Sequence, residues 1–298
     1  PARIAVLGIP DGLGAGELPN LNMITKASEL SPDAIKGCET AGRALLDDWL
    51  AHGIQTYHER HNDLAIDGTS HLSAHLHFGT ISVREIEERL PEGAGAEAFH
   101  RQLAWRDFYH YVLYNFPANR LLEFQEPMRG LQWETDPKLL KAWQDGQTGY
   151  PVVDAAMRQL LQEGWMHNRA RLIVGSFLTK DLGLDWRLGE AWFMKMLIDG
   201  DIANNNGNWQ WIASVGVDPA PVFRRLYNPT TQQQNYDPSG AYVRKYVPEL
   251  RDVLDKFITL PTTMTAEQQA EASCVIGRDY PAPIIDHAQA RLRALDFY

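Results

Sequence analysis

The sequence predicts a mainly α-helical protein, and three observations support that fold class. No convincing pair of strands follows residue 20. Apolar residues instead recur at intervals of three and four, which is the period of one face of an α-helix. Proline, glycine and capping residues stand at the ends of these runs, where helices begin and stop. We therefore expect an all-helical domain over residues 31–298.

The composition limits the classes of function. The chain has 298 residues, 44% of them hydrophobic, and a formal net charge of -10. An acidic protein attracts nucleic acid only through a local basic patch. Cys38 and Cys274 lie far apart without metal-ligand spacing, which favours a reducing, cytoplasmic setting. The apolar runs are shorter than the roughly 20 residues of a membrane span, so we expect a cytoplasmic monomer with no membrane contact.

The first 30 residues differ from the rest. A strand-like run over residues 4–9 is followed by Pro10, three glycines at alternate positions and Pro19. The glycines do not form a dinucleotide-binding loop, because Leu18-Pro19-Asn20 stands where a helix would have to open. We interpret residues 1–30 as an interdomain linker and expect the chain to be the C-terminal part of a longer protein.

The next elements are a helix and a loop rich in hydroxyl groups. Ser31 followed by Pro32 predicts a helix start, and the apolar residues at positions 45, 46, 49 and 50 continue with helical spacing. The loop over residues 68–73 offers hydroxyl and backbone N–H donors that suit a phosphate, or it is an ordinary helix N-cap. His75 and His77 have no third ligand nearby, so no metal site is expected.

A strongly patterned helix is predicted over residues 99–117, with Pro117 as its stop. Its apolar stripe consists of Trp105, Phe108, Tyr109, Val112, Leu113 and Phe116. By this pattern alone, Trp105 belongs to the core rather than to a binding site.

Two further helices are predicted between Tyr150 and Leu178. Pro151 opens the first and Gly164 ends it, and Trp165 begins the second. The apolar stripe of the second helix is Met166, Ala170, Ile173, Val174, Phe177 and Leu178. Its other face carries Trp165, Asn168 and Arg171 or Leu172, then the small residues Gly175 and Ser176. That face either leaves room for a flat ligand or is solvated.

The segment from Asp199 to Trp211 has the most unusual composition of the chain. It combines two aspartates, a run of asparagines and two tryptophans within 13 positions. Gly200 and Gly207 predict interruptions of regular structure, and asparagine favours turns. The segment is interpreted either as a polar loop capped by core tryptophans or as a site for a planar, hydrogen-bonding ring system.

Arginines stand beside aromatic residues at positions 223–228 and 242–246. With Arg106, Arg169 and Arg251 they predict a basic surface suited to phosphates and unstacked bases, or they belong to ordinary surface helices. The segment after Tyr280 is predicted to close the fold with one last helix.

Several strings, in order over residues 55–287, together resemble the photolyase/cryptochrome family, specifically its C-terminal helical FAD-binding domain. The nearest subgroup by resemblance is the class I cyclobutane pyrimidine dimer photolyases. The resemblance implies that the family's N-terminal α/β antenna domain is absent from this chain. The strings are Gly68-Thr69-Ser70-His71-Leu72-Ser73, Leu103-Ala104-Trp105-Arg106-Asp107-Phe108, residues 148–158, Trp165-Met166-His167-Asn168-Arg169, Asp199-Gly200-Asp201, Asn205 and Trp209-Gln210-Trp211.

The resemblance implies a bent FAD cofactor. It places the phosphates and adjoining parts of FAD at Tyr57, Thr69, Ser70, Leu72 and Ser73. It assigns Arg106, Asn168, Arg171 and Asp199 to the flavin pocket, with Arg171 paired to Asp199. Asp201 would bond the polar edge of the flavin, and Asn205 would face flavin N5, where an amide tolerates an anionic reduced flavin better than a carboxylate does.

The resemblance also implies light-driven repair of a pyrimidine dimer flipped out of DNA. Trp105 and Trp211 would stack on the lesion, Gln102 and Leu172 would contact it, and Arg169 and Arg224 would bind phosphates. By the same resemblance, Trp209, Trp186 and Trp133 carry an electron from the surface to the photoexcited flavin.

Four positions and one segment depart from the family's pattern and keep alternatives open. Gln102 stands where the cyclobutane enzymes usually have Glu, and Phe99, Leu172 and Asn208 replace Trp, Met and Gly. Residues 223–228 are one residue longer than usual. The alternatives are a cryptochrome-like photoreceptor that binds FAD without repair, an enzyme for (6-4) photoproducts, and a flavin-free DNA-binding module. The string His167-Asn168-Arg169 favours the cyclobutane enzymes over the (6-4) group.

Overall fold

The computed structural model describes residue 12, residues 16–26 and residues 30–298. The strand-like run over residues 4–9 lies outside the described residues, and the linker interpretation of residues 1–30 stays a prediction. Within the described part, extended residues pair only in two isolated bridges, Glu134 with Leu184 and Ile276 with Tyr280. The mainly α prediction is therefore confirmed.

The α-helices are numbered in chain order. They are α1 (Leu21–Ile24), α2 (Glu39–Asp48), α3 (Tyr57–Arg60), α4 (Ser73–His77), α5 (Val83–Glu87), α6 (Ala94–Asn115), α7 (Pro137–Gln144), α8 (Pro151–Glu163), α9 (Asn168–Ser176), α10 (Trp186–Met196), α11 (Ile202–Ile212), α12 (Pro229–Tyr236), α13 (Ala241–Tyr246), α14 (Ala266–Glu271) and α15 (His287–Phe297). None of the described helices is both long and apolar enough to cross a bilayer.

Two hydrophobic cores organise these helices. The larger core is built from α8, α9, α10, α11 and α13, and the smaller one from α2, α3 and the first half of α6. Helix α11 packs along α6, with Gly207 against the Tyr109 ring, and this contact joins the two cores. A cavity lies between the two cores and is lined by residues of helices from both.

The start of the first long helix was predicted wrongly. Ser31 does not cap a helix, because the first element after it is α2, which begins at Glu39. The backbone N–H of Asp33 donates to the carbonyl oxygen of Gln162 at 2.9 Å, and the Gln162 amide donates to the Asp33 carboxylate at 2.5 Å. These bonds hold the segment around Asp33 against the end of α8, and the segment does not form a helix. The helical spacing predicted through Trp49 is confirmed.

Helices α8 and α9 follow the sequence closely except at one boundary. Helix α8 begins at Pro151 and ends at Glu163, and its C-cap Gly164 has a φ of 63°, the left-handed conformation that glycine adopts readily. Helix α9 begins at Asn168 rather than at Trp165, because the His167 ring accepts a hydrogen bond from the backbone N–H of Arg169 at 3.1 Å and acts as the N-cap. Its predicted apolar stripe is buried throughout.

The stripe predicted for α6 is only partly buried. Tyr109 and Val112 are in the core, whereas Trp105, Phe108 and Phe116 are exposed. The buried face of α6 instead continues toward its N-terminus through Phe99 and Leu103. Helical spacing alone could not distinguish a core face from an aromatic surface.

The asparagine run is helical, contrary to the predicted turns. Helix α11 runs through the asparagines and Gly207 without interruption. Asp201 caps it by accepting a hydrogen bond from the backbone N–H of Asn204 at 2.8 Å. Asn205 donates to the carbonyl oxygen of Glu190 at 2.9 Å, a tertiary contact that replaces the local turn its side chain would otherwise form. Gly207 is required by packing, since a Cβ there would lie 2.1 Å from the Tyr109 ring.

Candidate functional site

A cavity of about 500 Å³ lies between the two cores, within the size range of small-molecule sites. All eleven residues that the resemblance assigns to the cofactor line it, as do four of the six assigned to the lesion. The first set is Tyr57, Thr69, Ser70, Leu72, Ser73, Arg106, Asn168, Arg171, Asp199, Asp201 and Asn205, and the second is Gln102, Trp105, Leu172 and Trp211. We call Ser73, Arg171, Asp199, Asp201 and Asn205 the inner wall, and Gln102, Trp105, Leu172 and Trp211 the mouth.

Two polar atoms of the inner wall are buried without a partner among the described residues. They are the hydroxyl oxygen of Ser73 and one carboxylate oxygen of Asp199. The other Asp199 oxygen accepts a hydrogen bond from Arg171 at 2.8 Å, and the Asp199 side chain is only 3% exposed. Burying an acceptor without a donor is costly, so these atoms indicate a bound ligand with polar groups.

Asp201 is held as a carboxylate. Its Oδ1 accepts hydrogen bonds from the backbone and the side chain of Asn204 at 2.8 and 2.7 Å, and its Oδ2 lies 3.2 Å from Nε2 of His110. Burial alone would raise the pKa of Asp201, but these hydrogen bonds and the nearby His110 and Arg106 outweigh it and lower the pKa. The ionised group can accept a hydrogen bond from a ligand N–H.

Asn205 is oriented by its neighbour on α10. Its side-chain N–H donates to the backbone carbonyl of Glu190 at 2.9 Å, which leaves its own carbonyl oxygen as an acceptor for a ligand. The Glu190 carboxylate accepts from Asn206 at 3.3 Å, and burial raises the pKa of Glu190. Asn205 itself is a neutral amide, so it brings no charge to the cavity.

The mouth is aromatic and partly solvent-accessible. Trp105 is 47% exposed although it lies in the predicted apolar stripe, so the core interpretation of Trp105 is wrong. Trp211 is half-buried, and the guanidinium of Arg225 lies 4.0 Å from the centre of its ring. Arg225 covers one face of Trp211, and Trp211 also lines the cavity.

Arg169 and Arg224 do not line the cavity. Arg169 donates to the Asn62 side chain at 2.7 Å and lies 4.4 Å from the centre of the Tyr236 ring. Arg224 is exposed, and its guanidinium makes no hydrogen bond or ion pair with the described residues. Their assignment to DNA phosphates stays a prediction.

The predicted basic surface is smaller than the sequence suggests. Arg225, Tyr242 and Tyr246 are buried. Arg244 pairs with Asp255 at 2.7 Å, and Lys245 pairs with Glu163 at 3.2 Å. These cations are partly neutralised and contribute less to a basic patch.

The three tryptophans that the resemblance assigns to electron transfer differ in their surroundings. Trp209 lines the cavity and packs on α10 so closely that a Cβ at Gly189 would lie 2.1 Å from its ring. Trp186, at the start of the same helix, is fully buried. Trp133 is half-buried, and the bridge between Glu134 and Leu184 brings its segment beside the residues that precede Trp186. Their electron-transfer role stays a prediction.

Sequence reasoning missed several residues of the site. Tyr109, Phe193 and Asn204 line the cavity, and Arg225 and His110 support residues that do. A helix assigned to residues 201–212 would have placed Asn204 beside Asp201, because side chains three positions apart share a face. Gly175, predicted to admit a flat ligand, instead packs against Ile212, which lies 2.9 Å from the position of a Cβ. No cluster of three or more His, Cys, Asp or Glu in the described residues is arranged to hold a metal ion.

Comparison with known proteins agrees with the site. Residues 99–298 match the family described as the FAD binding domain of DNA photolyase. The deoxyribodipyrimidine photo-lyase of Streptomyces griseus is 46% identical over 287 residues, which are 96% of this chain and 60% of the relative. That of Escherichia coli is 44% identical over 268 residues, 87% of this chain and 55% of the relative. The chain thus spans little more than half the length of these relatives.

Solved structures show the same fold. The crystal structure of a class III photolyase from Agrobacterium tumefaciens has a TM-score of 0.84 at 40% identity and covers 88% of this chain and 55% of that one. A Synechocystis cryptochrome has a TM-score of 0.83 at 33% identity and covers 90% and 57%. The class I subgroup stays a prediction.

The cavity fits the cofactor that the family binds. The unpartnered Ser73 hydroxyl and Asp199 oxygen, the ionised Asp201 and the neutral Asn205 supply the donors and acceptors that the phosphates and the polar ring edge of FAD require. The cofactor prediction is therefore confirmed, on the family match and on the donor set of this cavity. The chain belongs to the photolyase/cryptochrome family, of which it carries the FAD-binding domain.

Proposed function

We propose that this protein repairs cyclobutane pyrimidine dimers in DNA by light-driven electron transfer from reduced FAD. The observation that carries the proposal is that the inner wall and the mouth border one continuous cavity. A flavin at the inner wall and a base between Trp105 and Trp211 would share that cavity without a protein layer between them. The relatives named deoxyribodipyrimidine photo-lyase support the same activity.

The mouth would hold the lesion. Trp105 and Trp211 offer aromatic faces on which an extruded base can stack, and such stacking contributes about 1–3 kcal/mol per base. A damaged, poorly stacked base costs less to extrude than a normal one. The cation over Trp211 fixes which face of the indole is free.

FAD supplies light absorption and one-electron transfer when it is bound. The protein contributes electrostatics at the inner wall. Arg171 neutralises Asp199, and Asn205 adds no charge beside the ionised Asp201, so the inner wall tolerates an anionic reduced flavin better than it would with a carboxylate at position 205.

DNA binding would depend on exposed cations around the mouth, because the whole chain is acidic. Arg224 is an exposed cation outside the cavity lining, and Arg169 holds its guanidinium on Asn62. Each phosphate contact releases counterions, so affinity would fall steeply with salt concentration.

A cryptochrome-like photoreceptor is the second candidate, and Gln102 favours it. A neutral amide at the mouth cannot give the lesion the charge-assisted hydrogen bonds that a carboxylate gives. The similarity to the Synechocystis cryptochrome is in keeping with that alternative, and a neutral residue at this position also suits a (6-4) photoproduct.

The finer predictions on partners are kept as part of the proposal. We infer a cytoplasmic monomer that acts on damaged DNA and works beside an N-terminal antenna domain. The two unpaired cysteines, one exposed and one buried, suit a reducing compartment.

Photorepair tests the proposal. The protein is loaded with FAD, reduced, and mixed with an oligonucleotide that carries one thymine cyclobutane dimer. Intact thymines are then quantified with and without blue light. We expect restoration only in the light. Protein that holds reduced FAD and restores no thymines would favour the photoreceptor, and restoration of a (6-4) substrate instead would identify the other lesion.

A further inference from the structure

A buried carboxylate contacts the middle tryptophan of the predicted electron path. Trp186 is fully buried, and its indole N–H donates to Oε1 of Glu123 at 3.3 Å. The Glu123 side chain is only 4% exposed. The indole N–H of Trp133, by contrast, is buried without an acceptor among the described residues. The indole of Trp186 therefore has a bonded group that can take its proton.

A cation lies over the same indole. The guanidinium of Arg187 lies 4.6 Å from the centre of the Trp186 ring, and it donates to Oε1 of Glu123 at 2.8 Å. A cation over an aromatic face is favourable while the ring is neutral. It becomes repulsive once the ring carries a positive charge, and the repulsion is strong where water is excluded.

We propose that Glu123 accepts the indole proton of Trp186 when Trp186 is oxidised. This inference rests on the proposed function, because it requires Trp186 to give one electron, through Trp209, toward photoexcited oxidised flavin. Trp186 loses that electron, its Nε1–H bond breaks, and an O–H bond forms on Glu123. The products on the protein are a neutral indolyl radical and a neutral carboxylic acid, so the positive charge beneath Arg187 disappears.

Arg187 can keep its place after Glu123 becomes neutral. Its guanidinium also donates to the Asp185 carboxylate at 3.1 Å and to the carbonyl oxygen of Leu121 at 2.9 Å. The ion pair that the proton transfer weakens is one of several contacts. The transfer therefore leaves no unpaired buried cation.

The consequence is a radical held at Trp186. Return of the electron from the cavity to Trp186 then requires return of the proton, which slows charge recombination. An electron from Trp133 likewise fills the vacancy only if the proton comes back. Glu123 thus prolongs the lifetime of the radical at Trp186, and Trp133 reduces that radical only as the proton returns.

Transient absorption of FAD-loaded protein tests the step, because neutral and cationic tryptophan radicals absorb at different wavelengths. Glu123→Gln retains an oxygen that can accept the hydrogen bond but cannot take the proton. We expect loss of the neutral-radical band and faster recombination in Glu123→Gln. Asp185→Asn is the matched control, since it removes a carboxylate from the same arginine without touching the indole, and it should behave like the wild type.

The contact itself is measured in the dark without flavin. In ¹H–¹⁵N spectra, the indole signal that disappears in Trp186→Phe belongs to Trp186. That signal should shift in Glu123→Gln and stay in place in Asp185→Asn. An unshifted signal, or an unchanged neutral-radical band in Glu123→Gln, would overturn the proton-transfer step.

Failure of the electron path is a separate result. If Trp186→Phe leaves flavin photoreduction intact, the assignment of Trp186 to that path is wrong, and the proton step falls with it. If Trp186→Phe abolishes photoreduction while Glu123→Gln changes nothing, the path stands and only the role of Glu123 is refuted. A cationic radical in the wild type would refute that role as well.

Discussion

The inner wall and the mouth of the cavity are built differently. Asp199, Asp201 and Asn205 are each held by hydrogen bonds to neighbouring groups, whereas Gln102 is exposed and its side chain makes no hydrogen bond with the described residues. Trp105 at the mouth is likewise exposed. A preformed, bonded wall suits a ligand that stays, and an open aromatic mouth suits one that comes and goes. The contrast implies that substitutions at the two places should separate cofactor binding from lesion binding.

The largest effect is expected from Arg171→Met at the inner wall. The substitution leaves the buried Asp199 carboxylate without its cation, and breaking a buried pair in this way costs about 3–5 kcal/mol. Urea unfolding of the FAD-free protein and titration with FAD should both reveal the loss. The double variant Arg171→Met with Asp199→Asn should recover part of the stability. Wild-type stability in Arg171→Met would mean that Asp199 is not buried as a charge.

Trp211→Ala at the mouth should weaken lesion binding and spare the cofactor. The loss of one stacking surface predicts a decrease of about 1–3 kcal/mol in affinity for a dimer-containing oligonucleotide. Binding is measured in the dark by anisotropy, with FAD content determined from the absorption spectrum. Trp192→Phe, on α10 and outside the cavity lining, is the control. If Trp211→Ala lost FAD and lesion binding to the same extent, the mouth would not be a lesion site separate from the cofactor site of the inner wall.

Asp201→Asn should have little effect on the free energy of unfolding at neutral pH but should change how that free energy depends on pH. The pKa of Asp201 is lowered in the folded protein, so its contribution is fully present above the ordinary aspartate pKa of about 4. It is lost as the pH falls through the lower, folded value. Asparagine is also a good N-cap, so the cost at neutral pH should stay below about 1 kcal/mol.

Unfolding curves between neutral and acidic pH check this prediction. The asparagine variant should lose less stability than the wild type on acidification. An identical slope in both proteins would show that Asp201 is not the ionised group described above.

The smallest effect is expected from Arg224→Gln, outside the cavity. If Arg224 contacts one phosphate, the slope of log affinity against log salt should decrease by about one, equally for damaged and undamaged DNA. Arg225→Met should leave that slope unchanged and weaken lesion binding, since Arg225 acts on Trp211, in addition to the stability that is lost with its ion pair to Asp218. A change in the preference of Arg224→Gln for damaged over undamaged DNA would indicate that Arg224 contacts the lesion at the mouth rather than a phosphate outside the cavity.

The sequence was a good guide to the fold class and a weaker one to local structure. Terminators such as Pro151 and Gly164 work through backbone geometry alone, so α8 was predicted at both ends. The asparagine run was predicted as turns because its hydrogen-bond acceptors, such as the backbone carbonyl of Glu190, lie on another helix. A reading of neighbouring residues in the sequence cannot include such acceptors. Ser31 failed as a cap for the same reason, since its neighbour Asp33 bonds to α8.

The site illustrates the same limit. Resemblance to the family indicated residues that line one cavity although they are spread from Tyr57 to Trp211, while periodicity assigned Trp105 to the core. Neither approach indicated His110 or Glu123, and Arg225 was expected only as part of a basic surface, because each acts through a contact with a distant residue rather than through its own pattern. Such supporting residues become visible only when hydrogen bonds and burial are known.

The most direct test of the account is the fluorescence of reduced FAD in the assembled protein. If flavin and lesion share the cavity, a dimer-containing oligonucleotide should shorten the fluorescence lifetime by accepting an electron, and undamaged DNA of the same sequence should not. Trp211→Ala at equal FAD content should require more damaged DNA for the same effect. An unchanged lifetime with bound, damaged DNA would contradict the shared cavity and the repair function built on it.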